Sequence, residues 1–426
     1  MIDLILKNCN IINYDKRVFG NILIKDEIIV DIIPDTLSDN IESHRILDCK
    51  NNIVMPAFID MHTHLRDPGY EYKEDIESAS LAALAGGFTT CLSMANTEPP
   101  ADNKTVIRYI IEKSKNLNLI DILPYGSVTV GRKGKQLVEM GILLLEGAVA
   151  FSDDGSCIMN AEVSRRAMEY AKTFNSFIAI HAEDHNLSEN GQINEGKIST
   201  LTGLKGIPKE AEESMIFRDI VLADLTKSHL HICHLSTKRS VELVRWAKKQ
   251  GINITAEATP HHIYFTEESL KGYDTNYKVK PPLKRKQDID SLIDGLRDGT
   301  IDVIATDHAP HHLDEKYIEF ESAEFGMTGL QTALPILIKQ IEENKLAYED
   351  VARVLCYNPA KILGINKGYI SKNYTADIIV IDPNMEYIFD DKINKSKSIN
   401  TPFYNKKLKG TVIYTIKNGS IIYKYF

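Results

Sequence analysis

No apolar run in this 426-residue chain reaches the roughly 18 residues that a membrane-spanning helix needs; the richest stretch, Gly141 to Phe151, is interrupted by Glu146. The start, Met-Ile-Asp-Leu-Ile-Leu, has no basic stretch ahead of an apolar one, so no secretory signal is expected. Cysteine is sparse. Cys9, Cys49, Cys91, Cys157, Cys233 and Cys356 are scattered, with no C-x-x-C pair. That pattern argues against a disulfide framework or a cysteine-zinc knuckle and points to a reducing cytoplasm. Positive charge is not in excess either: 50 basic against 59 acidic residues give a net charge of −9. A general nucleic-acid binder shows the reverse balance, and membrane surfaces are equally poor partners.

What is present divides the chain into flanks and a middle. Residues 1–55 read as short strands, such as Leu4–Leu6 and Ile22–Ile24, separated by polar turns. The last 60 or so residues repeat that texture, and Asn418-Gly419 between Thr411–Ile416 and Ile421–Tyr425 is a strong two-residue hairpin signal. The expectation is one small β domain built from both chain ends, 1–55 and 367–426, around a central domain over 56–366.

In the middle, eight short apolar runs alternate with helical patterns. The runs are Ala57–His62, Phe88–Met94, Ile122–Val128, Ala148–Asp154, Phe177–Ala182, Leu230–Leu235, Ile252–Ala258 and Val303–Asp307. Met159–Phe174 is amphipathic, Pro208 suits a helix start, and Gly251 stops a helix over Ser240–Gln250. Eightfold strand–helix alternation predicts an α/β fold with a (β/α)8 TIM-type barrel. A doubly wound open sheet is the alternative, but no G-x-G-x-x-G follows the first strand.

Polar residues fall at one place in this pattern, the C-terminal ends of the runs. Run one ends in Asp60-Met61-His62-Thr63-His64, run four in Asp153-Asp154, run five in His181, run six in His234 and run eight in Asp307-His308. In a barrel these ends converge on the face that carries active sites. His62 and His64, two apart on a strand, share a face and can grip one ion. Imidazole and carboxylate ligands suit zinc. Four histidines and two aspartates exceed one catalytic zinc and suit two ions roughly 3.5–4 Å apart sharing a bridging carboxylate. Run four supplies that carboxylate, as either Asp153 or Asp154, since neighbours on a strand face opposite ways. Among the remaining histidines, His231 is expected on the other side of its strand. His229, His44 and His185 read as surface or helix-packing groups, and His261 and His262 as weak ligand candidates.

Two segments then resemble the paired signatures of the dihydroorotase family: Asp60-Met61-His62-Thr63-His64-Leu65-Arg66-Asp67-Pro68-Gly69 and Ala305-Thr306-Asp307-His308-Ala309-Pro310-His311. Between them, Gly86-Gly87-Phe88-Thr89-Thr90, Met94-Ala95-Asn96-Thr97, Phe151-Ser152-Asp153-Asp154-Gly155, His181-Ala182-Glu183-Asp184 and Cys233-His234-Leu235-Ser236-Thr237 match in order. The long bacterial type, class I, within the amidohydrolase superfamily, is the best fit. The resemblance implies reversible cyclisation of N-carbamoyl-L-aspartate to L-dihydroorotate, in the synthesis of UMP, with two Zn²⁺ per chain. It implies His62, His64 and Asp307 on one zinc, His181 and His234 on the other, Asp154 bridging, and Asp307 as catalytic acid/base. Arg66, Asn96 and His311 would contact the substrate carboxylate, and the backbone at Phe325-Gly326 its ring. The partners implied are the small-molecule substrate, a second copy in a homodimer, and an association with aspartate transcarbamoylase.

Two departures stand out. Relatives often bridge their metals with a carboxylated lysine on strand four, and Gly147–Asp154 holds no lysine. Lys280, before Pro281-Pro282, stands where the family usually has a substrate-contacting Asn. It is expected either to reach inward as an extra cation or to run out to solvent. The charge-rich connection from His308 to Gly326 is expected to act as a lid. A hydantoinase or allantoinase is the nearest rival, opposed by Arg66 and by the missing lysine. A catalytically dead barrel is opposed by the complete ligand set.

Overall fold

The structure, a computed structural model, describes residues 1–34 and 41–425. Strands from both ends of the chain form one eight-stranded sheet. Ile2–Ile12 pairs antiparallel with Arg17–Lys25, so that Leu4 faces Ile24 and Leu6 faces Ile22. Ile53–Pro56 joins the two ends, parallel to the first strand on one side and antiparallel to Ile378–Ile388 on the other. The alternating apolar residues of both ends, among them Leu4, Leu6, Ile22, Ile24, Val54, Ile378, Val380 and Ile416, meet in one buried cluster. The expected hairpin joins Lys407–Lys417 to Ser420–Lys424. Asn418 and Gly419 both have positive φ (48° and 73°), the backbone a tight type I′ turn demands.

The middle of the chain forms eight parallel strands in sequential order. They are β1 (Phe58–Thr63), β2 (Phe88–Ser93), β3 (Asp121–Gly126), β4 (Ala150–Phe151), β5 (Phe177–Ile180), β6 (His229–Ile232), β7 (Ile254–Ala258) and β8 (Val303–Ile304). β1 and β2 are buried along their whole length, which explains why their sequences lack polar alternation. Helices cover the outside and begin on side-chain caps. Asn103, Asn160 and Thr237 accept backbone N–H bonds at the starts of Lys104–Leu117, Ala161–Lys172 and Lys238–Lys249. The eight-stranded ring is nearly closed. Asp60 on β1 accepts the Thr306 N–H (3.0 Å) and hydroxyl (2.5 Å), Thr63 bridges to His308, and His64 N donates to the His308 carbonyl at 2.9 Å.

The barrel differs from the expectation in detail. β4 and β8 are only two residues long, so Asp153, Asp154 and Asp307 stand in the loops beyond them. His64, His181 and His234 also lie just past their strands. His234 and Asp307 have left-handed backbones, φ 33° and 47°. Leaving the strand frees each side chain from period-two alternation and lets it turn over the barrel mouth. No helix among the described residues is long and apolar enough to cross a membrane.

Candidate metal and substrate site

All six expected ligands converge at the barrel mouth, each buried. Asp154 is at the centre. Its Oδ1 lies 3.5 Å from His62 Nε2, 3.6 Å from His181 Nδ1 and 3.5 Å from His234 Nε2, and its Oδ2 lies 3.5 Å from His64 Nε2. Asp307 Oδ1 sits 3.0 Å from His64 Nε2 and 3.6 Å from His62 Nε2. The chain therefore presents two three-residue groups, His62/His64/Asp307 and Asp154/His181/His234, with the Asp154 carboxylate between them. Asp153 is turned away: its carboxylate accepts the Val128 and Thr129 N–H groups and the Thr129 hydroxyl. Geometry thus separates the two neighbours that periodicity left open.

The donor set fits cations. His62 Nε2 and Asp154 Oδ1 are both buried and have no hydrogen-bond partner, an arrangement that costs stability unless something occupies the space between them. Tetrahedral ligands at roughly 2.0–2.1 Å from a zinc ion are about 3.4 Å from one another, and the separations above cluster near that value. Cys233 falls in two further groupings, with His62 and Asp154 and with His231 and Glu257. Burial pushes its thiol pKa up, so it is a poor source of the thiolate a metal needs.

Electrostatics divide the cluster into charged roles. Burial alone would raise Asp307, but His62, His64 and His234 hold its carboxyl well below the usual range. Burial opposes protonation of His181, yet Asp154 and Glu183 lift it to about 9.

Carboxylates stand behind two of the histidines. Glu257 Oε1 is 2.6 Å from His62 Nδ1, and Glu183 Oε2 is 3.0 Å from His181 Nε2. Neither glutamate emerged from the sequence as a site residue. Glu257 sits inside run seven, one residue short of its end, and Glu183 is visible only as part of a motif. His231 also departs from expectation: its Nε2 lies 3.1 Å from Glu257 Oε2, joining the network behind His62. The parity argument from His234 fails because the backbone leaves the strand between them.

Above the ligands lies a cavity of about 320 Å³, lined by Arg66, Asn96, Arg132, Lys280, His311 and Phe325-Gly326 among others. Arg66 is 8% exposed and in a left-handed conformation, φ 63°. Its Nε donates to the Pro310 carbonyl (3.0 Å) and its Nη2 lies 3.2 Å from His311 Nε2. Burial lowers its pKa, and among the described residues no carboxylate pairs with it. His311 Nε2 is also 2.9 Å from the Phe325 carbonyl. Asn96 Oδ1 lies 2.9 Å from His64 Nδ1, so this residue steadies a histidine as well as lining the cavity. Arg132, absent from the sequence reading, donates through Nη2 to the Asp154 carbonyl, while its buried Nε has no partner.

Lys280 takes a position between the two expectations. Its ammonium lies 2.9 Å from Glu183 Oε1 and 5.3 Å from the centre of the Phe325 ring, with the side chain 32% exposed. It lines the cavity rather than the outer surface. The 308–326 connection folds over the same cavity and is fastened from beneath. Lys278 Nζ donates to the carbonyls of Phe320, Glu321 and Ala323, and Lys316 Nζ to those of Glu324 and Gly326. Asn400, within the C-terminal flank, bonds Ala309, His311 and Gly326.

A family profile for Dihydro-orotase-like proteins matches residues 51–240. A protein of Acetivibrio thermocellus named dihydroorotase is 46% identical over 403 residues, 94% of each chain. A second of that name, from Caldicellulosiruptor saccharolyticus, is 45% identical and covers 99% of this chain and 98% of its own. Among solved structures, an L-hydantoinase (dihydropyrimidinase) from Arthrobacter aurescens superposes with a TM-score of 0.89 at 24% identity. It covers 100% of this chain and 96% of its own. At that identity the likeness speaks for the fold: a barrel with an added β domain.

Proposed function

The chain belongs to the dihydroorotase family, and we propose that its site closes and opens the ring between N-carbamoyl-L-aspartate and L-dihydroorotate in pyrimidine synthesis. It is a cyclic amide hydrolase, and the working parts assigned here are residues of this chain. His62, His64 and Asp307 would hold one zinc, His181 and His234 a second, and Asp154 both. Ions held there would supply a nucleophilic water at neutral pH and polarisation of the ring amide. Asp307, kept ionised by its histidine neighbours, takes the proton of the attacking water and hands it to the ring nitrogen as the amide opens. In the synthetic direction it removes a proton from the carbamoyl nitrogen.

The observation that carries this reading is Arg66. A buried guanidinium with no carboxylate partner, beside the ligand cluster, is a place for a ligand's carboxylate. His311 and the free amide of Asn96 complete that pocket, and the main chain at Phe325-Gly326 faces the ring. A hydantoin ring carries no carboxylate, which is what separates this reading from a hydantoinase on the same fold. Residues 56–366 are read as the catalytic unit, with 1–55 and 367–426 as its β support. A cytoplasmic homodimer, with aspartate transcarbamoylase as a further partner, is the assembly we propose; sedimentation of the purified chain, alone and with that enzyme, tests it.

The test is turnover of dihydroorotate against hydantoin and allantoin, followed by the equilibrium itself. Carbamoyl aspartate is a dianion and dihydroorotate a monoanion, so ring closure consumes a proton. The ratio should move towards the ring by about tenfold per unit fall in pH while the carboxylates stay ionised. Preference for hydantoin, or a ratio that ignores pH between 6 and 8, refutes the assignment.

A further inference from the structure

Glu257, the last but one residue of β7, has no exposed surface. A carboxylate placed there is costly unless every lone pair is used. Oε1 accepts from His62 Nδ1 at 2.6 Å and from the backbone N–H of His234 at 3.2 Å, while Oε2 is 3.1 Å from His231 Nε2. Three N–H-bearing groups thus converge on its two oxygens.

The His234 N–H can only donate, so Oε1 is an acceptor, and this sets the sense of the chain. His62 carries its proton on Nδ1 and His231 on Nε2. His231 Nδ1 is then bare and accepts the Thr255 hydroxyl at 2.8 Å, whose oxygen accepts His229 Nε2–H, also at 2.8 Å. It leaves His62 Nε2 buried, unpartnered, and set between Asp154 and Asp307.

We propose that Glu257 is a positioning residue for both halves of the metal site, an inference that rests on the two-ion reading above. Through the side chain of His62 it presents a bare nitrogen to one ion and makes that nitrogen a stronger donor. Through the N–H of His234 it holds the left-handed backbone that aims the imidazole of His234 at the other. His231 and Thr255 fix Glu257 in turn. Carboxylate–histidine–metal triads of this kind tune ligand basicity and tautomer. Glu257 touches neither substrate nor reacting atoms.

The experiment measures zinc affinity by competition with a chromogenic chelator, on full-length protein loaded with zinc. The wild type is compared with Glu257→Gln and His231→Asn. Glutamine keeps the volume and an acceptor for His62 but removes the charge, so a space-filling role predicts unchanged metal binding. The proposal expects one ion held 10- to 100-fold more weakly in Glu257→Gln. It also expects a changed ligand-field spectrum in the cobalt-substituted protein and a smaller loss of affinity in His231→Asn. Two ions held with wild-type affinity in Glu257→Gln overturn it. If that variant does not fold, His231→Asn decides: weakened zinc binding supports the proposal and wild-type binding overturns it. A wild type that binds no zinc overturns the two-ion reading itself, whereas a wild type with two ions and unaffected variants overturns only the role of Glu257.

Discussion

The two sides of the ligand cluster use the same device and seal it differently. Behind His62 stands Glu257, wholly buried and held by His231. Behind His181 stands Glu183, which reaches Lys280 on the cavity wall. One carboxylate answers only to the protein interior; the other is tied to a cation that faces the place of substrate. The difference teaches that holding metal and recognising substrate are separable tasks here. Glu257 should govern chemistry and metal retention, and the cavity wall around Lys280 affinity and selectivity.

The largest effect that would sharpen this division comes from Asp307, on the His62 side. Asp307→Asn keeps the shape and loses the proton shuttle, which costs on the order of 10²–10⁴ in kcat, and more if a ligand is lost with it. Near-normal kcat with intact zinc removes Asp307 from the mechanism. Arg66→Met strikes the cavity wall. Loss of charge-assisted hydrogen bonds worth about 1.5–3 kcal/mol should lower kcat/KM roughly 10- to 150-fold in both directions, with zinc content unchanged. Loss of zinc in that variant would break the division.

Lys280→Met should act more gently, because the ammonium is a third exposed and shared with Glu183. A rise in KM of about two- to tenfold is expected for carbamoyl aspartate, and less for dihydroorotate, since the second charge of the open chain feels the lost cation more. Equal effects on both would leave Lys280 as a wall residue without selectivity.

The smallest effect concerns the loop. Burial brings Lys316 down to about 7, below the roughly 10.4 of an unfolded chain. Between those values the unfolded chain binds more protons, so this group makes stability rise with pH across that window. Lys316→Met should flatten that slope in a melting series from pH 7 to 10. Parallel curves for both proteins would show that Lys316 does not titrate there.

Much of this was legible beforehand because barrels gather strand ends on one face. His62, His64, His181, His234, Asp154 and Asp307 each followed an apolar run, and the structure brings them together. The supporting residues were hidden for a physical reason. Alternation assumes the strand continues, and at His234 and Asp307 the backbone turns left-handed instead. Strand parity therefore puts His231 on the wrong face, and Glu257, one residue short of the end of β7, is followed by Ala258 instead of closing its run. Arg132 lies on a loop after β3, where neither period nor spacing constrains direction. Asn96 was expected at the substrate, but its contact with His64 depends on how two strand ends approach, which sequence does not encode locally.

Whether this barrel mouth is a two-zinc ring-opening site is decided by counting zinc against turnover on the isolated full-length chain. The account predicts two zinc ions per chain, activity in both directions between carbamoyl aspartate and dihydroorotate, loss of both activities on chelation and their return with zinc. A chain stripped of metal that still opens dihydroorotate at an undiminished rate would contradict it.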